Sequence, residues 1–360
     1  VAGLAMEETL RHRPRGGAAN VIPDRARTAR DAGIDIDVSD ESVQRLAPPS
    51  DGQRFEGIAF SSTGDTIAVA TADTDTVFLF RRRADGLFED RPYCCIDGAR
   101  SKLNYPHDVS FSRSGDTELL AVAQRRGAIA IYDRNRADDH FGPDPVFEIC
   151  GPRTQLHFSD GVAFVPPAMD HLAACNLQTG SLAFFRRQSR SPTHFGLEPA
   201  FELRHPSLCH PDGLAFSECG RWLAVANHGN HSVSVFQRRN RILARGKLRY
   251  GPEPVTIIRD PELRHPHSVA FTRSNHLLVT NAGANYFSVY APIRQNLGMR
   301  WSRSSVLRRS VGPDRIFEEV NARNRMEGGP KGIATHGSSI AICSAEHGIT
   351  VYSFREPSIH

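Results

Sequence analysis

Six short apolar runs are each preceded immediately by a residue that can carry charge. Glu56 stands before "GIAF", His107 before "DVSF", Asp160 before "GVAF", Asp212 before "GLAF", His267 before "SVAF" and Lys331 before "GIAT". Imidazoles together with carboxylates are donors suited to Zn, Mn or Fe, whereas a shell of carboxylate and amide oxygens suits Ca or Mg. A subset of three or four among Glu56, His107, Asp160, Asp212 and His267 is therefore the expected metal shell. Whichever of His107 and His267 is left free of an ion is the expected catalytic proton shuttle, because imidazole titrates near neutral pH. Roughly fifty residues separate each of these positions from the next, so they act together only if the fold gathers them.

The elements that could gather them repeat with the same spacing. Gly57, Asp108, Gly161, Gly213, Ser268 and Gly332 occupy equivalent positions, 51, 53, 52, 55 and 64 residues apart. A fixed period of that length marks an array or a propeller. In each unit the first run leads through a polar turn such as "SSTGD" or "SRSGD" to a second apolar run, among them "TIAVA", "LLAVA" and "WLAVA". A third follows, as in "TVFLF", "AIAIY" or "SVSVF". Short runs rich in Val, Ile, Ala and Phe, bounded by Gly, Ser, Asn and Asp, read as strands. A fourth strand is expected in "VFEIC" at 146–150, "AFELR" at 200–204 and "VTIIR" at 255–259, and Cys94-Cys95 falls in the same outer region of the first unit.

Four strands per unit make a blade, so the expected fold class is all-β, a six-bladed β-propeller of four-stranded antiparallel blades. The last unit supplies only three strands. The missing one must come from upstream, with "GIDIDV" at 33–38 the first candidate and "SVQRL" at 42–46 the second, closing the ring and hiding two sheet edges. The expected organisation is an arm over 1–30 with one helical turn near "MEETLRH", a propeller over 31–355 with its closing strand at about 33–46, and a tail over 356–360. Residues 292–328, which stretch the last interval, are expected to form a variable loop. A seventh blade lacks support, because residues 1–50 contain no copy of the unit.

Innermost propeller strands begin beside the central axis, so the six charged positions form a ring. Two residues earlier lie Arg54, Tyr105, Phe158, His210, His265 and Gly329, an outer tier. The loop after the second strand opens at the same end with Thr71, Gln124, Asn176, Asn227, Asn281 and Ser344, followed by His228 in one unit and Glu346 and His347 in another. Substrate contacts are expected from Arg54, Asn176, Asn227, His228, Asn281 and Lys331. Crowding carboxylates and imidazoles at one axis is costly through repulsion and desolvation unless something compensates. A bound cation would do so, and so would salt bridges from Lys331. Pro106, Pro211, Pro266 and Pro330 hold the chain extended on the approach to their strands.

Composition narrows the function classes. The 44 basic and 40 acidic residues leave a formal charge of +4, too little and too evenly spread to indicate a nucleic-acid partner. Seven cysteines without a CxxC pair indicate neither a zinc ribbon nor a disulfide framework. No run of apolar residues is long enough for a membrane span or a signal peptide, and a soluble cytoplasmic protein without a membrane partner is the expectation. Neither a G-x-S-x-G elbow nor a phosphate-binding glycine loop is present, so there is no nucleotide or flavin signature.

The unit "HPDGLAFSECGRWLAVANHGNHSVSVF" at 210–236 resembles the repeats of NHL, lactonase-type and gluconolactonase/regucalcin propellers, which read roughly P-x-G-[IV]-A-F-S-x-x-G followed by a V-A-N strand. The resemblance spans residues 55–354. WD40 blades are less similar, because the Trp-Asp ending is missing. The resemblance implies an axial divalent cation held by a Glu in an "EG" strand start and by Asn or Asp in others. Glu56, Asp160 and Asp212 match those types, whereas His107 and His267 stand where oxygen ligands are expected and Lys331 has no counterpart. The implied function is a metal-assisted, lactonase-like hydrolase or lyase acting on a small oxygen-rich molecule in the axial pocket. The alternative is a non-enzymatic propeller that binds a protein, peptide or small ligand on the same face, since one fold hosts many functions.

Overall fold

The computed structural model describes residues 37–46, 53–114, 117–135, 139–189, 191–239, 247–295, 298–310, 327–344 and 348–356. The expected N-terminal arm and its helical turn, residues 33–36 of the closing segment, Glu346, His347 and residues 357–360 of the tail lie outside these. Six antiparallel sheets, each built around four strands, form a six-bladed β-propeller; in five of them the strands run in sequence order from inside to outside. The inner strands are Phe55–Phe60, Pro106–Ser114, Ser159–Phe164, Pro211–Phe216, Pro266–Phe271 and Pro330–His336. Among the described residues no helix is long and apolar enough to cross a membrane.

The outer strands follow the sequence reading in blades 1 to 4, as Cys94–Ile96, Phe147–Ile149, Phe201–Arg204 and Thr256–Ile258. Blade 5 differs from expectation. Part of the stretch taken for a variable loop is its outer strand, Gly298–Ser310, paired along Tyr286–Gln295. Its arginine- and serine-rich sequence lacks the apolar signature of the other strands, because its register is set by the neighbouring strand. The ring closes through Asp37–Leu46, which pairs antiparallel with Gly348–Arg355. Both candidate segments contribute: Val38 lies opposite Phe354, the register then shifts, and Val43 to Leu46 pair with Tyr352 to Ile349.

One buried apolar cluster lies between each pair of adjacent blades. Leu46, Phe55, Ile58, Ala341 and Ile349 form the one that joins blade 6 to blade 1. The glycine of the repeat follows from the same crowding. A Cβ on Gly161 would come within 2.3 Å of the Asp212 carbonyl oxygen, and one on Gly332 within 2.9 Å of the Glu56 carbonyl oxygen. At these two positions the inner strands of neighbouring blades meet too closely near the axis for a side chain, although Asp108 and Ser268 carry one at the equivalent position of blades 2 and 5.

All six inner strands change register just past their first residue, as between Phe55 and Ile58, Pro211 and Leu214, or Pro330 and Ile333. The axial residues Glu56, His107, Asp160, Asp212, His267 and Lys331 each sit inside such a shift. A bulge re-aims side chains that regular pairing would send to one face or the other. The repeated bulge is the device that turns six charged side chains toward one axis.

Candidate functional site at the propeller axis

The six axial residues meet, and all are buried, with exposures from 0% at Glu56 to 3% at Asp212 and His267. Glu56 is the hub. Its Oε2 lies 3.3 Å from His267 Nε2, 3.6 Å from His107 Nε2 and 2.9 Å from Lys331 Nζ, and its Oε1 contacts Arg54. The His107 and His267 rings stack with centroids 5.1 Å apart. Asp212 lies 3.6 Å from His267 Nε2, 3.8 Å from His107 Nδ1 and 3.8 Å from His228 Nδ1. Glu56, His107, Asp212 and His267, with Asp108, Asp160, Gly213 and Ser268, line a small gap between them. That is room for a single water or ion, so any organic ligand must sit at the mouth above it.

Two ligand-capable groups stand out, Glu56 with His107 and His267, and His107 with Asp160 and Asp212, the donor atoms in each lying within 4.8 Å of one another. The first contains buried atoms that face charged partners but make no aligned hydrogen bond. Both Glu56 oxygens, His107 Nε2 and His267 Nε2 are buried without an aligned hydrogen bond. His107 Nδ1 lies 3.3 Å from the Asp160 carbonyl oxygen, to which it donates, so Nε2 carries the lone pair that faces Glu56. Asp160 is served differently: Arg125 holds it with a fork, Nε to Oδ1 at 2.9 Å and Nη2 to Oδ2 at 3.1 Å.

Burial governs the protonation states. It would raise the Glu56 pKa, but Lys331, Arg54 and the imidazoles outweigh it and hold the carboxyl well below its usual range. Burial, then Arg125, pushes His107 well down; burial, then Lys331, pushes His267 down to about 4 against the pull of Glu56. Both imidazoles are thus neutral at pH 7, the form that ligates metals. Burial and then Asp160 push Asp212 well up, and burial lifts Asp108 to about 7 although the Val162 and Val109 amides donate to it.

Of the expected substrate contacts, Arg54, His228 and Lys331 belong to this cluster. Asn176, Asn227 and Asn281 are fully buried, and their amides serve the chain itself. Asn176 accepts from the His157 amide at 3.1 Å and Asn281 from the Arg264 amide at 3.0 Å, while Asn227 donates to Ser232 and Ser234. Asn176 and Asn281 thus pin the loops that approach their inner strands, while Asn227 braces the third strand of its blade. Three further residues of the cluster are not among the sequence-derived candidates. Arg125 follows Gln124 in the position that His228 holds after Asn227, so the repeat alignment could have found it. Asp108 was read only as a strand-start marker. Glu327, which lies 3.1 Å from His228 Nε2 and 3.3 Å from Lys331 Nζ, sits in the long insertion and has no counterpart in other units.

No family model matches the sequence, and no curated protein does. Solved structures do match in shape. The WD40 repeats of RRP9 align with a TM-score of 0.57 at 10% identity, covering 89% of this chain and 100% of that one. The Swd1 β-propeller domain of Myceliophteria thermophila gives 0.53 at 16%, covering 83% of each chain. A putative 6-phosphogluconolactonase from Bacteroides uniformis gives 0.52 at 15%, covering 80% of this chain and 77% of that one. Likeness at such identities establishes the propeller fold alone, and the NHL and regucalcin similarity stays one of motif.

Proposed function

We propose that Glu56, His107 and His267 hold one divalent first-row metal ion, and that the protein is a metal-assisted hydrolase or lyase acting on a small oxygen-rich molecule at the axial mouth. The observation that carries this reading is the set of buried donors without aligned hydrogen bonds, 3.3 and 3.6 Å apart across Glu56 Oε2. Ligands bonded at about 2.0–2.2 Å to a shared ion stand at about such separations. Two imidazoles and one carboxylate favour Zn, Mn or Fe over Ca or Mg. When bound, such an ion polarises a carbonyl oxygen and acidifies water.

The chain's own groups supply the rest. His107 and His267, expected as proton shuttles if free, become ligands in this reading, and Asp212 is the remaining carboxylate in position to take a proton. His228, 3.8 Å from Asp212 through Nδ1 and 3.1 Å from His265 through Nε2, leads from it toward the rim. Lys331 can leave Glu56 to an ion without losing a partner, because Glu327 is 3.3 Å away.

A second reading, a non-enzymatic ring that binds a protein, peptide or small ligand on the same face, draws on Lys331 as a resident cation 2.9 Å from Glu56. Metal analysis of untagged protein decides between them. Near-stoichiometric Zn, Mn or Fe that is lost in Glu56→Gln and His267→Ala supports the metal centre. Less than ~0.1 equivalents, with no thermal stabilisation by Zn, Mn, Fe, Ca or Mg, supports the second reading, since an ion bound to the native state must raise stability.

A further inference from the structure

We infer that the ligand of the axial mouth is an organic anion carrying a flat ring, its acidic group received by Arg54 and Arg125 and its ring by Tyr105. The inference rests on the mouth being the ligand-binding face and deepens that reading by naming the substrate class.

Both guanidiniums flank the Tyr105 ring, Arg54 at 5.9 Å and Arg125 at 5.4 Å from its centroid. Each is anchored from beneath by a carboxylate with no exposure. Arg54 uses Nε on Glu56, and Arg125 uses Nε and Nη2 on Asp160. The arginine side chains themselves remain 25% and 21% exposed. The anchoring contacts use Nε of Arg54 and Nε and Nη2 of Arg125, and the part of each side chain that stays exposed is open to a ligand. A guanidinium has five donors in a rigid fork, and one already fixed by a buried carboxylate loses little further freedom when it grips a second anion.

The ring half of the inference comes from backbone strain. Tyr105 has φ +59°, and its equivalents in the next three blades, Phe158, His210 and His265, have +53°, +47° and +49°. The left-handed region is costly for a residue other than glycine. Glycine would relieve it, yet four successive blades place a ring there. Phe158 is 38% exposed, one of two large hydrophobic side chains so exposed among the described residues. Loop geometry accounts for the φ but not for the choice of a ring, and at Tyr105, where two cations flank that ring, a stacking surface for a ligand accounts for the choice.

The test is an NMR titration of EDTA-treated protein with benzoate, benzamide and cyclohexanecarboxylate, so that no probe can bind through a metal. Benzoate is expected to bind at least ~tenfold more tightly than neutral benzamide, because the guanidinium bonds are charge-assisted. It should also bind several-fold more tightly than cyclohexanecarboxylate, and Arg125→Lys should remove most of the charge preference. Tyr105→Gly, whose backbone accepts the left-handed conformation without strain, should erase the preference for the flat ring, with folding checked by its urea midpoint. Equal affinity for benzoate and benzamide, an unchanged ring preference in Tyr105→Gly, or no benzoate binding below about 10 mM overturns the inference. Benzoate binding by a protein that takes up no metal sinks only the metal centre, whereas metal uptake without benzoate binding sinks only this inference.

Discussion

Lys331 separates the two readings of the axis most sharply, because it occupies the side of Glu56 that a metal would need. Its side chain is almost wholly buried, with Nζ 2.9 Å from Glu56 Oε2. Replacing it by methionine keeps the volume and strands part of a buried negative charge, with Arg54 still in place to limit the damage. Lys331→Met should therefore lose up to about 3 kcal/mol in metal-free protein, at the low end of what breaking a buried ion pair costs. In the metal-site reading Zn or Mn restores more stability to the variant than it adds to the wild type, as urea midpoints with and without metal would report; equal gains would mean that lysine and ion do not compete. His265 supports a separate prediction. Its ring lies 4.7 Å from that of His228 and 4.4 Å from that of His231, with Glu327 and Arg264 the other charged groups nearby. Burial, then His228 and His231, lowers its pKa to about 4 against Glu327. Because the folded value lies below the unfolded one, the unfolded chain takes the proton first as pH falls below about 6.5, and stability drops until about pH 4. His265→Gln should therefore gain on the wild type as pH is lowered from about 7 to about 4.5, modestly since the ring is half-buried. A difference in urea midpoint that stays constant with pH would contradict this.

Strands and their bulges decide where these residues go, and here the sequence was readable to different depths. The repeated apolar starts, four of them opening on glycine, and the alternation of apolar runs with polar turns located every inner strand, because the blade interfaces demand apolar side chains and several close backbone contacts near the axis favour glycine. The bulges are invisible in that pattern, although they aim the axial side chains. Asn176 and Asn281 were legible as repeated amides but not as loop clamps, since a buried amide and a ligand-binding one look alike until their partners are known. The outer strand of blade 5 and Glu327 were obscured for one reason: both belong to an insertion that the repeat does not constrain. The glycine contact gives a prediction at this scale. Gly161→Ala would set a Cβ 2.3 Å from the Asp212 carbonyl oxygen and must push blade 4 outward. A loss of about 1–3 kcal/mol is expected, the usual range for overpacking. Because the displaced strand carries Asp212 and not the three proposed ligands, metal stoichiometry should hold while activity or ligand affinity falls. Stoichiometry lost together with stability would place Asp212 in the metal shell.

A ring has no end to fray except its seam, and in this molecule the seam runs beside the chemistry. Blade 6 is completed by Asp37–Leu46, so the covalent order of the chain brings its first described strand against its last. Leu46, 1% exposed, packs with Phe55 and Ile58 of blade 1 and with Ala341 and Ile349 of blade 6. At the axial end of the same seam Lys331 of blade 6 meets Glu56 of blade 1, and Gly332 lies against the Glu56 carbonyl. Opening the seam therefore separates the hub carboxylate from its lysine, and the remaining four blades need not unfold for that to happen. Leu46→Ala should cost about 2–4 kcal/mol, the usual penalty for emptying a buried leucine site. Local openings draw on the least stable contacts first, so the effect should be uneven. Hydrogen exchange should accelerate in Phe55–Phe60 and Pro330–His336 and remain near wild type in Ser159–Phe164 and Pro211–Phe216. A metal ion that bonds Glu56 of blade 1 to His107 of blade 2 and His267 of blade 5 would tie the blade 1 side of the seam to the rest of the ring. Adding the preferred ion should then slow exchange at the seam in the variant, and uniform acceleration across all six inner strands would instead mean that the ring opens as one unit and that closure is not its weak point.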